Sequence, residues 1–310
     1  MIVPACSDAS LAADEPLIGS APDAIAWVCL EQNGPWGAKA FTDSHLDTEI
    51  GRRIEDVAGE HGVRPSLIRR PGRHADPGTL RDGRSTPSSG QAAEQRTVLI
   101  AYTHPGRTWL LTGTASEPAA LLELDWAAIA CGDVEAVQAS LPGLSLAADP
   151  VLLVCTNGTR DTCCARLGRP VALAAAGIDS EHVWEVTHTS GHRLAATTVT
   201  LPSGVLHGRV LDGTGLLAAA RRGQVVLDGY RGRSTYSPGA QVAEDHVRRT
   251  EGVLGLDDLE VVPEIDAWRV RHRDGRSWWV AVSSSESGER PESCGKESKP
   301  VKRFQARIVG

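Results

Sequence analysis

The feature that most constrains the fold is an order of predicted elements that occurs twice along the chain. Hydrophobic patterns and turn residues predict a first set: a strand at 24–32, a helix capped by Ser44, a strand at 66–70, a hairpin at 97–113 and a helix at 117–131. They predict a second set in the same order: a strand at 151–155, a helix at 165–177, a strand at 182–188, a hairpin at 194–211 and a helix at 213–223. This alternation predicts an α/β fold built from two similar halves.

Each set has the element order of a thioredoxin-like domain. The sequence therefore predicts four parts: a flexible lead-in at 1–23, a degenerate thioredoxin-like half without metal ligands at 24–140, a thioredoxin-like domain with potential metal ligands at 149–225 and a C-terminal α+β extension at 226–310. The halves share too few residues for identity to establish a duplication, so duplication and coincidence of pattern both stay open.

The extension and two polar segments complete the predicted organisation. A helix at 238–252 and a hairpin at 268–283, turning at Asp274-Gly275, account for the α+β character of the extension. Residues 72–95 and 284–300 have few apolar side chains and several turn-forming residues. Both segments are predicted to be loops, and the final RFQARIV is predicted to be an edge strand.

Composition excludes several classes of function. The chain has 310 residues, of which 41% are hydrophobic, enough to bury a substantial core. A formal charge of -7 and a pI of about 5.8 argue against a nucleic-acid partner, which would require clustered Lys and Arg. No apolar run is long enough to span a membrane. Seven cysteines without the spacing of a disulfide scaffold, and a start unlike a signal peptide, predict a cytoplasmic protein.

Potential metal ligands cluster between residues 155 and 192. Cys155 and Cys164 have eight residues between them, and His188 and His192 form an H-x3-H pair that a turn would aim at one point. Two thiolates and two imidazoles suit zinc or iron better than calcium or magnesium. The sequence therefore predicts a metal centre in this stretch.

The remaining cysteines have weaker signals. Only one of two neighbouring cysteines normally points at a given metal, so Cys163 is either a reserve ligand or a buried thiol. Cys6, Cys29 and Cys131 are interpreted as small core or tail residues. Cys294 lies in a segment predicted to be a polar loop, where either a reactive or an inert exposed thiol fits the pattern.

The segments CTNGTRDTCCA, 155–165, and HTSGHRLAATTVTLPSG, 188–204, resemble the sucrase/ferredoxin-like family, whose members carry a thioredoxin-like ferredoxin domain. The likeness extends to EQNGPWGAKA and RPESCGK. Cluster-binding relatives hold a [2Fe-2S] centre with two Cys and the two His of an H-x3-H motif. The resemblance therefore implies four metal and cluster ligands: Cys155, Cys164, His188 and His192. Many relatives have His-x-Gly-Gly-His, whereas this chain has Ser190 before Gly191. This departure affects the conformation of the loop, but both histidine ligands are present.

These observations leave three function classes. The first is an electron-transfer protein with a [2Fe-2S] cluster, in which imidazole ligands can couple protons to electrons. The second is a structural zinc module that uses the same four ligands. The third is an enzyme, either a thiol-dependent oxidoreductase, although C-x2-C is absent, or a sucrose hydrolase, for which no carboxylate pair is identifiable. An electron carrier is favoured over a hydrolase, and its redox partner, a protein or a small-molecule electron donor, is not identified by the sequence.

Overall fold

A computed structural model describes residues 4–72 and 95–310. These residues contain a ten-stranded mixed sheet, a separate four-stranded antiparallel sheet, and helices packed on both. The predicted α/β fold is confirmed. The loop predicted at 72–95 falls, apart from its end residues, outside the described residues. No helix in the described ranges is long and apolar enough to cross a membrane.

The first half follows the predicted order with two differences. Its elements are α1 Cys6–Ala12, β1 Ala26–Glu31, α2 Thr48–Glu60, β2 Val63–Arg69, β3 Arg96–Tyr102, β4 Trp109–Ala115, a 3-10 helix Pro118–Glu123, α3 Trp126–Cys131, α4 Val134–Ser140 and β5 Ser145–Leu146. The N-cap of α2 is Asp47 instead of Ser44, because its carboxylate accepts hydrogen bonds from two backbone N–H groups of the first turn. The single helix expected at 117–131 is interrupted, because Asp125 caps a new helix.

The second half repeats the arrangement of the first. Its elements are β6 Val151–Cys155, α5 Thr162–Ala176, β7 Val183–Val186, a 3-10 helix His192–Leu194, β8 Thr198–Leu201, β9 Val205–His207, α6 Gly213–Arg221 and β10 Tyr230–Arg233. The strand orders β2-β1-β3-β4 and β7-β6-β8-β9 correspond, and in each the first pair is parallel and the others are antiparallel. The thioredoxin-like character of either half and the domain boundaries stay predictions.

The two halves meet where β2 pairs antiparallel with β7. Arg69 and Glu185, opposite each other in this pair, form a buried ion pair with an Nε–Oε2 distance of 2.8 Å. The Thr156 hydroxyl also donates to the Glu185 carboxylate, at 2.9 Å. Removing one partner of a buried pair costs about 3–5 kcal/mol, so this pair opposes slippage of β7 against β2. The ion pair thereby fixes the position of the end of β7, from which the chain continues to the next segment.

A hydrophobic core shared by both halves lies beside this junction. It contains Trp27 of β1, Leu153 of β6 and Trp184 of β7, and it also includes Cys155 and Cys164. The two predicted ligand cysteines therefore belong to a rigid, fully packed region.

The extension differs most from the prediction. Its elements are α7 Pro238–Glu251, β11 Leu259–Glu264, β12 Ala267–His272, β13 Ser277–Pro291 and β14 Ser298–Ile308. The loop predicted at 284–300 is wrong, because β13 continues to Pro291 and pairs with β14 through a bulge. Most side chains from 283 to 289 are exposed, so the ladder is held by backbone hydrogen bonds and carries no alternating apolar pattern.

The lead-in predicted at 1–23 is also wrong for its described residues. Helix α1 occupies Cys6–Ala12 and buries Cys6 and Ser10. Glu15 is 4% exposed, and its carboxylate receives hydrogen bonds from Arg193, Arg290 and Ser10 at 2.7–2.9 Å. This network attaches the N-terminal segment to the β13–β14 hairpin.

Candidate metal centre

The parallel pairing of β6 with β7 brings two of the predicted ligands to one edge of the sheet. Cys155 is the last residue of β6, and His188 follows the end of β7 at Val186. The carboxyl ends of parallel strands lie at the same edge, which is where α/β proteins commonly bind ligands. The Cys155 side chain is fully buried and interacts with the His188 imidazole.

Helix α5 supplies the third predicted ligand. Asp161 caps the helix, so Cys164 lies in its first turn, and the Cys164 Sγ is 3.5 Å from the Nδ1 of His192. The helix packs closely on β6 because Gly168 has no side chain. A Cβ there would lie 2.1 Å from the carbonyl oxygen of Cys155. Gly168 thus permits the approach that places Cys164 beside Cys155.

The two histidines stack on each other, with ring centroids 4.5 Å apart. The Nδ1 of His188 is buried and has no hydrogen-bond partner among the described residues. A buried nitrogen without a partner destabilises the fold by about 1–3 kcal/mol. A metal ion at this nitrogen would satisfy it, so the residues present fit the ligand set that the resemblance implies.

Two arginines hold the loop between the histidines. Arg64 donates to the carbonyl of His188 at 3.1 Å, and Arg231 donates to the carbonyl of Ser190 at 3.0 Å. Ser190 and Gly191 have φ angles of 63° and 74°, in the left-handed region. Glycine adopts this region without the steric strain that a side chain causes, so the loop needs a glycine at 191.

We expect Gly191→Ala to lower the free energy of unfolding by more than backbone strain alone would lower it, because the new side chain would also collide with Arg231. A Cβ at Gly191 would lie 2.9 Å from a guanidinium nitrogen of Arg231, so the loop or the arginine must shift. Gly106 is a matched control, because its φ is also 74° and a Cβ there would contact nothing within 4 Å. Urea unfolding should show a loss of roughly 1–3 kcal/mol for the strain in either variant. Equal losses in the two variants would contradict the steric role of Arg231.

The pKa values of Cys155, Cys164 and His192 are strongly shifted. The hydrogen bond from Cys164 and the nearby His188 hold the pKa of Cys155 well below its usual range, against the opposing effect of burial. The same hydrogen bond, together with burial, raises the pKa of Cys164. Burial, reinforced by the neighbouring His188, lowers the pKa of His192 to about 4. The deprotonated form is therefore favoured at Cys155 and disfavoured at Cys164, and His192 is neutral near pH 7, as an imidazole ligand of a metal must be.

The histidines line an open cleft of about 810 Å³. Exposed cationic side chains of Arg160, Lys296 and Lys299 also line it. Lys299 forms an ion pair with Glu292, whereas Arg193 is directed at Glu15. The cleft gives a ligand or a docking protein access to the half-buried histidine pair.

Sequence reasoning missed a second group of potential ligands. Cys6, Asp161, Cys163 and Cys294 have ligand atoms that all lie within 4.8 Å of one another. Cys163 contacts the cysteines of this group, whereas its neighbour Cys164 contacts His192. The pair Cys163-Cys164 was the one sequence signal for this group. It could not reveal that the partners of Cys163, which are Cys6 and Cys294, lie near the two ends of the chain. Of the other two cysteines, Cys29 is buried in the shared core and Cys131 is exposed.

Comparison with known proteins identifies the family. The model of the sucrase/ferredoxin-like family matches residues 17–232, more than half of the chain. The chain belongs to the sucrase/ferredoxin-like family. The match includes Cys155, Cys164 and both histidines, whereas Cys6 and Cys294 lie outside it. No curated protein and no solved structure matches this family member.

Proposed function

We propose that this protein is an electron carrier that binds a [2Fe-2S] cluster through Cys155, Cys164, His188 and His192. The observation that carries the proposal is the convergence of two cysteines and two histidines, in which a buried ring nitrogen of His188 has no hydrogen-bond partner within residues 4–72 and 95–310. Membership in a family named for ferredoxin supports the same cofactor.

The cluster would supply one-electron redox chemistry, and imidazole ligands in place of two thiolates would raise its reduction potential, as they do in Rieske centres. The protein's own contribution is to hold the four side chains in place. Cys155 and Cys164 are fixed by strand β6 and helix α5, and the histidine loop is fixed by Arg64 and Arg231. The two guanidinium groups also place positive charge beside the centre, which stabilises an added electron.

We infer that the electron donor or acceptor docks at the cleft that the histidines line. The exposed Arg160 and Lys296 would attract an acidic protein surface or an anionic small molecule. A contact at this cleft brings the partner to the half-buried imidazole edges, the part of the proposed centre nearest solvent.

The proposal is tested by the metal and sulfide content of protein purified under anaerobic conditions. We expect a red-brown protein with about two irons and two acid-labile sulfides per chain, and an EPR signal after one-electron reduction. A colourless protein without sulfide would contradict the proposal.

A structural zinc ion on the same four ligands is a second candidate, favoured by one observation. The 3.5 Å between Cys164 Sγ and His192 Nδ1 is close to the separation of about 3.5 Å expected for two tetrahedral ligands of one zinc ion. Sulfide analysis separates the candidates, because a zinc ion on these residues would bring no sulfide.

A further inference from the structure

We propose that Cys6, Cys163, Cys294 and Asp161 form a second metal site, which binds a structural zinc ion. The three Sγ atoms form a nearly equilateral triangle, with separations of 3.6 Å from Cys6 to Cys163, 3.5 Å from Cys163 to Cys294 and 3.6 Å from Cys294 to Cys6. The carboxylate oxygens of Asp161 are 3.5 and 3.6 Å from the Cys6 sulfur. Cys6, Cys163 and Asp161 are buried, and Cys294 is half-buried.

These separations suit a tetrahedral zinc ion. Zn–S bonds of about 2.3 Å place two tetrahedral sulfurs about 3.8 Å apart, and a sulfur and a carboxylate oxygen about 3.5 Å apart. The observed triangle needs to expand by only a few tenths of an ångström to receive the ion. A disulfide, by contrast, needs an S–S distance of about 2.05 Å and would use only two of the three thiols.

Two of the three sulfurs accept hydrogen bonds, as expected for thiolate ligands. The Ser7 hydroxyl donates to the Cys163 sulfur at 3.3 Å, and the Cys294 sulfur accepts from the Cys6 amide and the Thr162 hydroxyl, both at 3.5 Å. Such donors stabilise negative charge on sulfur and orient the ligands. The amino-terminal end of α5 adds its partial positive charge beside Cys163.

Asp161 is held in place by the same segments that supply the cysteines. Its two carboxylate oxygens accept hydrogen bonds from the backbone N–H groups of Cys163, at 2.9 Å, and Cys294, at 2.8 Å. Each oxygen keeps a lone pair for a metal. Three thiolates and one carboxylate around Zn²⁺ leave a net charge of about -2, as in the four-cysteine sites of structural zinc modules.

The site would act structurally, because all four ligands come from the protein and no position stays open for a substrate. It would join three segments that are distant in sequence: helix α1, the first turn of α5 and the turn between β13 and β14. The family match includes Asp161 and Cys163, whereas Cys6 and Cys294 lie outside the matched residues.

The test measures zinc and iron separately in the full-length protein. We expect about one zinc per chain in the wild type, and zinc K-edge X-ray absorption should show three sulfurs at about 2.3 Å and one oxygen, without imidazole. The zinc content of Cys6→Ser and Cys294→Ser should fall at least tenfold, while iron and sulfide stay at their wild-type level. Cys131→Ser, which removes an exposed cysteine outside the group, should keep both metals.

Several results would overturn this inference. They are wild-type protein without zinc after growth in zinc-supplied medium, zinc that is retained in both variants, and a disulfide between two of the three cysteines in the mass spectrum of unreduced protein. An absorption spectrum with imidazole ligands would place the zinc at the histidines, and would contradict the proposed cluster as well. The wild-type absorption spectrum decides the question even if the serine variants fail to fold.

Discussion

Cys155→Ser and Cys164→Ser should each lose the iron and the acid-labile sulfide of the protein, whereas Cys163→Ser should keep both. Cys155 and Cys164 interact with each other and with the histidines, so each supplies one of the two thiolates that we propose for the cluster. Serine binds iron weakly in place of a soft thiolate, and the cluster depends on both sulfurs. Iron, sulfide and visible absorbance per chain, measured after anaerobic purification, check the expectation.

Cys163→Ser is the matched control, because it makes the same atomic change at the adjacent residue of the same helical turn. Successive residues of an α-helix point about 100° apart, so two neighbouring thiols cannot aim at one ion. The Cys163 sulfur contacts Cys6 and Cys294 instead. Loss of iron from Cys163→Ser with retention in Cys164→Ser would reverse the assignment, and equal losses from all three variants would point to general misfolding.

We expect Glu15→Ala to lower the free energy of unfolding by about 3–5 kcal/mol, the cost of leaving buried charges without a partner. The Glu15 carboxylate receives a two-point hydrogen bond from Arg290, at 2.9 and 2.7 Å, and another from Arg193, at 2.7 Å. Alanine would leave the buried Arg290 and the partly buried Arg193 without that carboxylate. Urea unfolding followed by circular dichroism measures the loss.

Glu289→Ala is the control for this variant, because Glu289 is the exposed acidic neighbour of Arg290 on the same strand. Surface substitutions of this kind change the free energy of unfolding by about 0.5 kcal/mol or less. If Glu15→Ala and Glu289→Ala have the same small effect, the N-terminal segment contributes little to the stability of the fold.

The same carboxylate should make the protein less stable in acid. Burial alone would raise the pKa of Glu15, but the hydrogen bonds from Arg290, Arg193 and Ser10 outweigh it and lower that pKa below the usual value. The folded state then binds fewer protons than the unfolded state, so the stabilisation is complete above the unfolded pKa of about 4.3 and is lost as pH falls through the folded pKa. Glu15→Gln, which does not titrate, should show a smaller decrease in unfolding free energy between pH 6 and pH 3. An unchanged slope would contradict this assignment.

The sequence predicted the local parts of the site well. The strand ending at Cys155 and most of helix α5 follow from their own apolar pattern, because both are buried against a continuous core. The spacing of the ligands along those elements then implied that they would meet. Only the start of α5 was missed, because a side-chain cap at Asp161 moves it to Thr162.

The parts that the sequence did not predict depend on contacts between distant and mostly polar segments. The contact of Glu15 with Arg290 joins residues 275 apart in sequence, and that of Cys6 with Cys294 joins residues 288 apart. Neither contact produces a periodic apolar pattern, so charged and small polar residues there were interpreted as loop. The part of β13 after Ser283 has no hydrophobic face and is defined by its pairing with β14, so the sequence predicts a loop there.

The meeting of helix α1 with the tip of the β13–β14 hairpin has a consequence for biosynthesis. Cys6 leaves the ribosome 288 residues before Cys294, an interval on the order of tens of seconds at a synthesis rate of about 5–20 residues per second. During that time the nascent chain can complete β6, α5 and β7, and with them the proposed cluster site between Cys155 and His192, before Cys294 becomes available to Cys6 and Cys163. The proposed cluster site can therefore assemble during translation, and the proposed zinc site, which joins the two ends of the chain, closes only afterwards.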